Sequence, residues 1–284
     1  MTAVPSTEGR PLLNVRDLHV EVRSRGGALE ILRGVDLAVD RGETLAVVGE
    51  SGSGKSFTAL TVAGLLPEGA SVTSGAVELA GVDLLGLRES HRREVRGREI
   101  GMVYQDSMTS LNPVMRIGRQ VAEVLTAHGW SRADARARTV EVLGEVGLPS
   151  PERLVRLYPH QLSGGMRQRV LIACAVAPRP KVLIADEPTT ALDVTIQQQI
   201  LELVTGLRDE YGLAVVWITH DLGVVARIAD RVAVMYAGRV VEHGATRPLY
   251  RAPSHPYTDG LLRSIPTEAD AHQQPLPQIG GTPV

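Results

Sequence analysis

The sequence predicts an α/β protein with a mainly parallel β-sheet. Three observations support this class: short apolar runs alternate with helical patterns, a glycine-rich loop directly follows one run, and two carboxylates directly follow another. Alternation of strands and helices favours a parallel sheet, because parallel neighbours need a crossover that is usually a helix. Ligands of open α/β sheets bind at the carboxyl ends of the strands, where the two carboxylates fall.

The N-terminal part of the chain is predicted to form strands around one helix. In order, the expected elements are strands at Leu12–Val22, Ile31–Val39 and Thr44–Gly49, a helix from Lys55 to about Leu66, and a strand at Ser71–Ala80. The first two runs are rich in Val and Leu with partial alternation, and the third is short and apolar, which is typical of a buried strand. Pro67 is expected to stop the helix.

The central part of the chain is predicted to be helical. Val121, Val124 and Leu125 share one helical face, and Ser131–Gly147 opens on an N-cap serine and closes on glycine. We therefore expect residues about 107–177 to form a helical insertion in the α/β core. The other predicted elements are strands at Ile100–Tyr104, Val182–Ala185 and Ala214–Ile218, a helix over about Val194–Glu210, and a hairpin of Arg231–Tyr236 with Arg239–Glu242.

Composition is that of an ordinary globular protein. Of 284 residues, 43% are hydrophobic and 22% charged, and 30 basic against 32 acidic residues give a net charge of −2, so no nucleic-acid partner is expected. The single cysteine, Cys174, excludes a disulfide within the chain and is expected to be a buried filler. No apolar stretch approaches the roughly 18 residues that cross a bilayer, and Met1–Pro11 lacks the apolar core of a secretory signal.

A phosphate-binding loop is predicted at residues 49–56. The segment Gly49, Glu50, Ser51, Gly52, Ser53, Gly54, Lys55 and Ser56 matches the P-loop pattern between a strand and a helix. Glycines let the backbone wrap phosphates so that N–H groups and the helix N-terminus point at the anion. Lys55 is expected to reach the β- and γ-phosphates of ATP, and the Ser56 hydroxyl to ligate Mg²⁺. A simple glycine-rich turn is disfavoured, because both the pattern and its flanks are complete.

The apolar run Val182–Ala185 carries two adjacent carboxylates, Asp186 and Glu187, at its end. Asp186 is predicted to hold Mg²⁺, directly or through water, and Glu187 to polarise the attacking water. An Asp-Glu pair alone is equally consistent with a turn at a strand end. The P-loop is what favours a catalytic site.

The segment between these motifs carries a family resemblance. Leu162–Arg169 (Leu-Ser-Gly-Gly-Met-Arg-Gln-Arg) resembles the signature motif of the ABC transporter ATPases. In that family two cassettes dimerise head to tail, which implies that Ser163, Gly164 and Gly165 complete the ATP site of a partner cassette. A helix N-terminus facing the γ-phosphate would attract the anion by the same physics as the P-loop.

Three further positions resemble the same family. Gln105 resembles the glutamine that contacts Mg²⁺ and the attacking water near the membrane subunits. Ala191-Leu192-Asp193 resembles the loop that communicates across the dimer, which assigns Asp193 to the nucleotide site. His220 resembles the histidine that holds the γ-phosphate and the water, although a lone histidine at a strand end is usually structural.

Narrower features resemble the ATPases of oligopeptide and dipeptide importers. These features are Tyr104–Pro113, Met166, Asp193–Gln197, and the C-terminal stretch His255–Thr258 with Leu261, Leu262 and Pro266. The resemblance implies an ATPase that powers import of di- or oligopeptides or a related small solute. Nickel importers share most of these features, so a nickel or metal-chelate importer is the alternative.

The resemblance also implies an architecture and an assembly. The fold would be a P-loop ABC cassette with a RecA-like core, an N-terminal antiparallel β subdomain and the inserted α-helical subdomain. Residues 1–11 would form a tail, 12–245 the cassette, and 246–284 the importer-type extension, with a loose end from Thr267. The implied partners are transmembrane permease subunits, a second ATPase chain in a homo- or heterodimer and, indirectly, an extracytoplasmic solute-binding protein. The expected location is the cytoplasmic face of the cell membrane.

A soluble ABC ATPase acting on DNA or ribosomes is the competing function class. DNA-repair relatives separate the two halves of the site by long coiled coils, and ribosome-acting relatives carry two cassettes. Here Lys55 and Asp186 are too close in sequence to be separated by long coiled coils, and the sequence contains one cassette. Some transporter relatives hold an iron–sulfur cluster, which takes about four cysteines; none follows Cys174, so no cluster is expected.

We expect loose discrimination between ATP and GTP. Family members usually stack an aromatic residue from the region before the P-loop on adenine, but Leu12–Asp40 contains no Phe, Tyr or Trp. Val22 or the loop Arg25–Glu30 would approach the base instead, which forgoes about 1 kcal/mol of stacking. Competition binding should give similar affinities for the two nucleotides, and a strong preference for ATP would contradict this prediction.

Overall fold

The computed structural model describes residues 10–24, 27–105, 110–190 and 192–264, which form two compact units. The first unit contains the described residues up to Leu87 and from Thr219 onward, and the second runs from Arg88 to Ile218. The loose tail predicted from Thr267 lies outside the described residues, as does most of the predicted N-terminal tail.

Strands and helices alternate along most of the chain. The described strands are β1 (Leu13–Ser24), β2 (Gly27–Val39), β3 (Thr44–Val48), β4 (Ala70–Leu79), β5 (Val82–Asp83), β6 (Ile100–Val103), β7 (Val182–Asp186), β8 (Ala214–Thr219), β9 (Arg231–Tyr236) and β10 (Arg239–Ala245). The described helices are α1 (Lys55–Val62), α2 (Glu89–Arg98), α3 (Ile117–Ala127), α4 (Arg132–Glu145), α5 (Pro151–Leu154), α6 (Gly164–Val176), α7 (Val194–Tyr211), α8 (Leu222–Ile228), α9 (Thr246–Arg251) and α10 (Pro256–Arg263). Across these described ranges, no helix combines the length and apolar character that a membrane span requires.

The first unit contains an antiparallel sheet with the strand order β2-β1-β4-β5. Leu18 and Val20 on β1 and Leu32 and Val35 on β2 are completely buried. The buried side chains fix the register, because a slip of one residue would turn them to the other face. This sheet is the predicted N-terminal antiparallel β subdomain.

Three further strands of the first unit, β3, β9 and β10, lie beside the start of the P-loop. β3 is buried along its whole length and pairs in parallel with β9, and β9 turns back into the antiparallel strand β10. The turn of this predicted hairpin consists of Ala237 and Gly238, both with positive φ, as a two-residue hairpin turn requires. The helix α1 ends at Val62 rather than near Leu66, because Gly64 takes a left-handed φ of 65° and closes the helix before Pro67.

The second unit combines a parallel sheet with a helical block. β6, β7 and β8 pair in parallel, and β7 and β8 are buried along their whole length. Between β6 and β7 lie α3 to α6, and α3 buries Ile117, Val121 and Leu125, which are spaced as one helical face. On α6, Cys174 is partly rather than fully buried. Desolvation raises the pKa of its thiol to about 12, so this group stays a neutral thiol.

A buried arginine connects three helices of the second unit. Arg138 on α4 is 4% exposed, and its guanidinium donates to both oxygens of Glu145 at 2.6 and 2.9 Å. It also donates to the Ala177 carbonyl after α6 at 3.0 Å and to the Tyr211 hydroxyl on α7 at 3.1 Å. Burial alone would raise the pKa of Glu145, but the hydrogen bonds from Arg138 and Tyr211 hold it below its usual value.

Replacing Arg138 with Met should lower the free energy of unfolding by about 3 kcal/mol, because Glu145 and Ala177 lose their charged donor. Urea titrations measure this loss. The matched control is Arg119→Met, which removes an exposed pair with Glu123 worth less than about 1 kcal/mol. The contribution of Glu145 should be present above its unfolded pKa of 4.5 and be lost as the pH falls through the lower folded-state pKa. Equal losses in the two variants would contradict the prediction.

Candidate nucleotide site

The P-loop, residues 49–56, joins the buried strand β3 to α1 within the first unit. Gly49 has a φ of 152° and passes so close to β9 that an added Cβ would lie 2.2 Å from the Met235 carbonyl oxygen. Gly54 has a φ of 104°, which strains any residue with a side chain, and a Cβ there would also lie 2.7 Å from Leu32 Cδ2. Only glycine fits these two positions, which explains the residue type that the loop requires.

Lys55 lies inside the loop, as the sequence predicts. It is 6% exposed, and its ammonium donates to the carbonyl oxygens of Gly49 at 2.8 Å and Glu50 at 2.7 Å. The first turn of α1 carries no acidic side chain, so the partial positive charge of this helix start is not offset there. A buried cation beside a helix N-terminus fits an anionic ligand such as a phosphate chain.

His220 lies at the corner between β8 and α8 and is exposed. Both of its neighbours are fixed by local hydrogen bonds. The Asp221 amide donates to the Thr219 hydroxyl at 3.0 Å, and the Asp221 carboxylate accepts from the amides of Gly223 at 2.8 Å and Val224 at 3.2 Å. The imidazole is therefore carried by a backbone segment of defined geometry.

Two residues predicted to be catalytic, Gln105 and Glu187, meet in the second unit. The Gln105 amide nitrogen donates to Glu187 Oε2 at 2.9 Å. Gln105 closely follows β6 and Glu187 directly follows β7, its parallel neighbour. The contact follows from this pairing, because the carboxyl ends of parallel strands lie at the same edge of a sheet.

The backbone of Glu187 is held as firmly as its side chain. Its φ of 46° is left-handed, a conformation that costs a residue with a Cβ roughly 1 kcal/mol. The Glu187 amide donates to the Ile218 carbonyl at 2.9 Å, and its carbonyl accepts from the Thr190 amide at 3.2 Å. Strained backbone of this kind is concentrated at functional sites, and Asp186 beside it is 8% exposed.

The predicted signature residues form the start of α6. Ser163 is the N-cap, and its hydroxyl accepts from the Met166 amide at 3.3 Å. A Cβ added to Gly165 would lie 2.8 Å from Ile196 Cγ2 on the first turn of α7. Asp193 caps α7 by accepting from the Ile196 amide at 2.9 Å. The segment Ser163–Gly165 and Asp193 therefore lie at two adjoining helix N-termini; Ala191 lies outside the described residues.

The sequence matches two protein-family models. The model described as ABC transporter matches residues 32–190, and the model described as oligopeptide/dipeptide transporter, C-terminal region, matches residues 241–284. The chain belongs to the ABC transporter family. As a member of this family it is an ATP-binding cassette with ATPase chemistry.

Individual relatives of the cassette are similar over most of its length. It is 52% identical over 274 residues to the oligopeptide transport ATP-binding protein OppD of Bacillus subtilis (strain 168), covering 96% of this chain and 76% of that one. It is 50% identical over 274 residues to the dipeptide transport ATP-binding protein DppD of Lactococcus lactis subsp. cremoris (strain MG1363), covering 96% and 78%.

Solved structures agree with this assignment. The cassette superimposes on dimeric MJ0796, a bacterial ABC transporter cassette, with a TM-score of 0.73 at 30% identity, covering 83% of this chain and 99% of that one. For MJ0796 in a post-hydrolysis state bound to ADP and Pi, the TM-score is 0.73 at 29% identity, with coverage of 83% and 99%. For cbiO1 of Clostridium perfringens, part of the complex cbiONQ, the TM-score is 0.74 at 28% identity, with coverage of 85% and 91%. These similarities confirm the predicted cassette fold.

The segment of the cassette predicted to face the base is described in part. Arg25 and Gly26 lie outside the described residues, whereas Val22 is half-buried and lies opposite Leu29 in the β1–β2 pairing. Leu29 exposes 58% of its surface. The described part of this hairpin thus offers the aliphatic side chains of Val22 and Leu29.

Thr190 is a site residue that sequence reasoning missed. Its hydroxyl donates to Glu187 Oε2 at 3.0 Å, so this carboxylate oxygen accepts from both Thr190 and Gln105. No pattern singles out a threonine shortly after Pro188. Only the turn at Glu187 brings the hydroxyl to the carboxylate.

Proposed function

We propose that this cassette binds and hydrolyses ATP to drive import of oligopeptides or dipeptides through a membrane permease. Relatives at 50 to 52% identity carry the names of oligopeptide and dipeptide transport ATP-binding proteins, and the match over residues 241–284 is to the C-terminal region of such transporters. These relatives favour peptides over the alternative solute, nickel or a metal chelate.

The hydrogen bond between Gln105 and Glu187 carries the proposal. Gln105 opens the segment that resembles the part of the family lying near the membrane subunits, and Glu187 is the carboxylate suited to polarising water. A direct bond joins the two, so a displacement of the permease-facing segment changes the position of the carboxylate. The same contact can therefore couple transport to hydrolysis.

In the proposed reaction the chain positions phosphate and water. The P-loop amides and Lys55 bind the β- and γ-phosphates. Glu187 orients and polarises the attacking water, while Thr190 and Gln105 hold its carboxylate. His220 holds the γ-phosphate and the water in line.

The proposed Mg²⁺ ligands are Ser56, Asp186 and Gln105. Mg²⁺ prefers oxygen ligands, keeps several waters, and binds nucleotides through one or two protein groups together with phosphate oxygens. Ser56 offers a hydroxyl and Asp186 a carboxylate. Gln105 offers its amide oxygen, because its nitrogen donates to Glu187. The donor set fits the ion, which would supply charge neutralisation to the phosphates.

The proposed assembly is a head-to-tail dimer of cassettes on a permease at the cytoplasmic face of the membrane. Ser163–Gly165 and Asp193 of one cassette would complete the ATP site of the other through the helix N-terminus. Val194, next to Asp193, is 76% exposed, and Tyr104 and Val114, within and directly after the importer-like segment Tyr104–Pro113, are 41% and 83% exposed. Exposed apolar side chains at these places are expected of surfaces covered in an assembly. We favour a heterodimer with a second ATPase chain, and an extracytoplasmic solute-binding protein that delivers the peptide.

Replacing Glu187 with Gln should trap a closed, ATP-loaded dimer, because the amide keeps an oxygen acceptor but cannot take a proton from water. Turnover should fall by roughly 10²- to 10⁴-fold while ATP binding persists, as measured by phosphate release and by gel filtration with ATP. The matched control, Glu202→Gln on the exposed face of α7, should hydrolyse ATP like the wild type. Unchanged turnover in Glu187→Gln would contradict the role of Glu187 in polarising the attacking water.

Co-purification tests the transport function itself. The tagged chain, extracted from membranes of its native cell in mild detergent, should recover a permease pair, a second ATPase chain and a solute-binding protein, which can then be screened with di- and oligopeptides. Recovery only in the soluble fraction, with ribosomes or nucleic acid, would overturn the importer and support the soluble class of ABC ATPase. A co-purifying binding protein that selects nickel over peptides would overturn the assignment of peptides as the transported solute.

A further inference from the structure

The C-terminal extension touches the P-loop through Tyr257. The Glu50 backbone N–H donates a hydrogen bond to the Tyr257 hydroxyl at 3.0 Å. Tyr257 stands in the first turn of α10 and is 7% exposed. Both residues belong to the first unit, although they lie 207 positions apart in the sequence.

This hydrogen bond acts on the peptide group that also holds Lys55. The peptide between Gly49 and Glu50 takes part in two hydrogen bonds. Its N–H donates to the Tyr257 hydroxyl, and its carbonyl oxygen accepts from Lys55 Nζ at 2.8 Å. The N–H and C=O of a trans peptide share one plane and point in opposite directions. The phenol and the ammonium therefore fix the orientation of this plane from its two sides.

The ring of Tyr257 is itself held by packing next to the strand that leads into the loop. Its centroid lies 4.6 Å from that of Tyr236, the last residue of β9. It belongs to a buried cluster with Ala46 and Val48 on β3. Burial is the main cause that raises the pKa of the Tyr257 hydroxyl, so a neutral phenol faces Glu50 at physiological pH.

Hydrogen bonds anchor the segment that enters α10. His255 is the N-cap of the helix, and its Nδ1 accepts from the Tyr257 amide at 3.2 Å. Glu242 on β10 accepts from the amides of Ser254 at 2.7 Å and His255 at 3.0 Å. These contacts leave the phenol little freedom, which is the property required of a group that positions another.

We propose that Tyr257 is a positioning residue of the nucleotide site, which orients the first peptide of the P-loop and thereby the ammonium of Lys55. The inference rests on the proposed function, since it takes the P-loop as the site of the ATP phosphates. It assigns a role in nucleotide binding to the C-terminal extension. Docking of α10 and binding of ATP then favour each other, because coupling between two sites is reciprocal.

Tyr257→Phe tests the proposal, because it removes the hydroxyl and keeps the packed ring. The Kd of the full chain for Mg-ATP, measured by calorimetry, should rise about 2- to 10-fold, the usual range for one lost hydrogen bond. The matched control is Tyr250→Phe. The Tyr250 hydroxyl donates to the Leu222 carbonyl at 2.7 Å in the same unit, so this variant should lose comparable thermal stability and keep the wild-type Kd.

Hydrogen exchange gives a second readout that a purely structural role would not move. Mg-ATP should slow amide exchange across Pro256–Arg263 in the wild type and in Tyr250→Phe, and slow it less in Tyr257→Phe. Unchanged ATP affinity in Tyr257→Phe, or an equal loss in both tyrosine variants, would overturn the inference and leave the proposed ATPase intact. Failure of the wild-type chain to bind Mg-ATP would overturn the proposed function and this inference with it.

Discussion

A strand that is buried along its whole length can present polar groups to a ligand only at its ends, and this constraint organises the cassette. β3 is completely buried and opens into the P-loop, β7 is completely buried and ends in Asp186 before Glu187, and β8 is completely buried and leads to His220. Polar groups inside such strands would lack partners. The proposed functional groups are therefore confined to the ends of these strands and the turns that follow them.

These turns are held in place by close packing and local hydrogen bonds. Gly49 touches the Met235 carbonyl too closely for any side chain. Glu187 keeps a left-handed backbone because its amide and carbonyl are both bonded. At the P-loop the restraint extends to Tyr257. The groups proposed to meet a phosphate chain are thus held in place without a ligand, which would lower the cost of ordering them on binding.

Most of the fold could be predicted from periodicity, and its exceptions have physical causes. The buried strands match their predicted ranges closely, and α3 buries Val121 and Leu125 of the predicted helical face, because apolar patterning decides which segments are buried. The helix α2 escaped prediction since it buries no residue and has no apolar stripe. The end of α1 was placed too late, because Gly64 closes the helix before the expected stop at Pro67. Gly64 offered a local signal for this closure.

The sequence by itself determined the chemistry proposed for the site, since the P-loop glycines, Lys55 and the Asp186–Glu187 pair form motifs of fixed local order that can be read along the chain. Only the tertiary structure decided which groups act on which. Thr190 and Gln105 meet at one oxygen of Glu187, and Tyr257 reaches a peptide of the P-loop from the far end of the chain. Contacts of this kind depend on how strands pair and how helices pack. The sequence pattern around a hydroxyl-bearing residue does not predict which distant group that hydroxyl will contact.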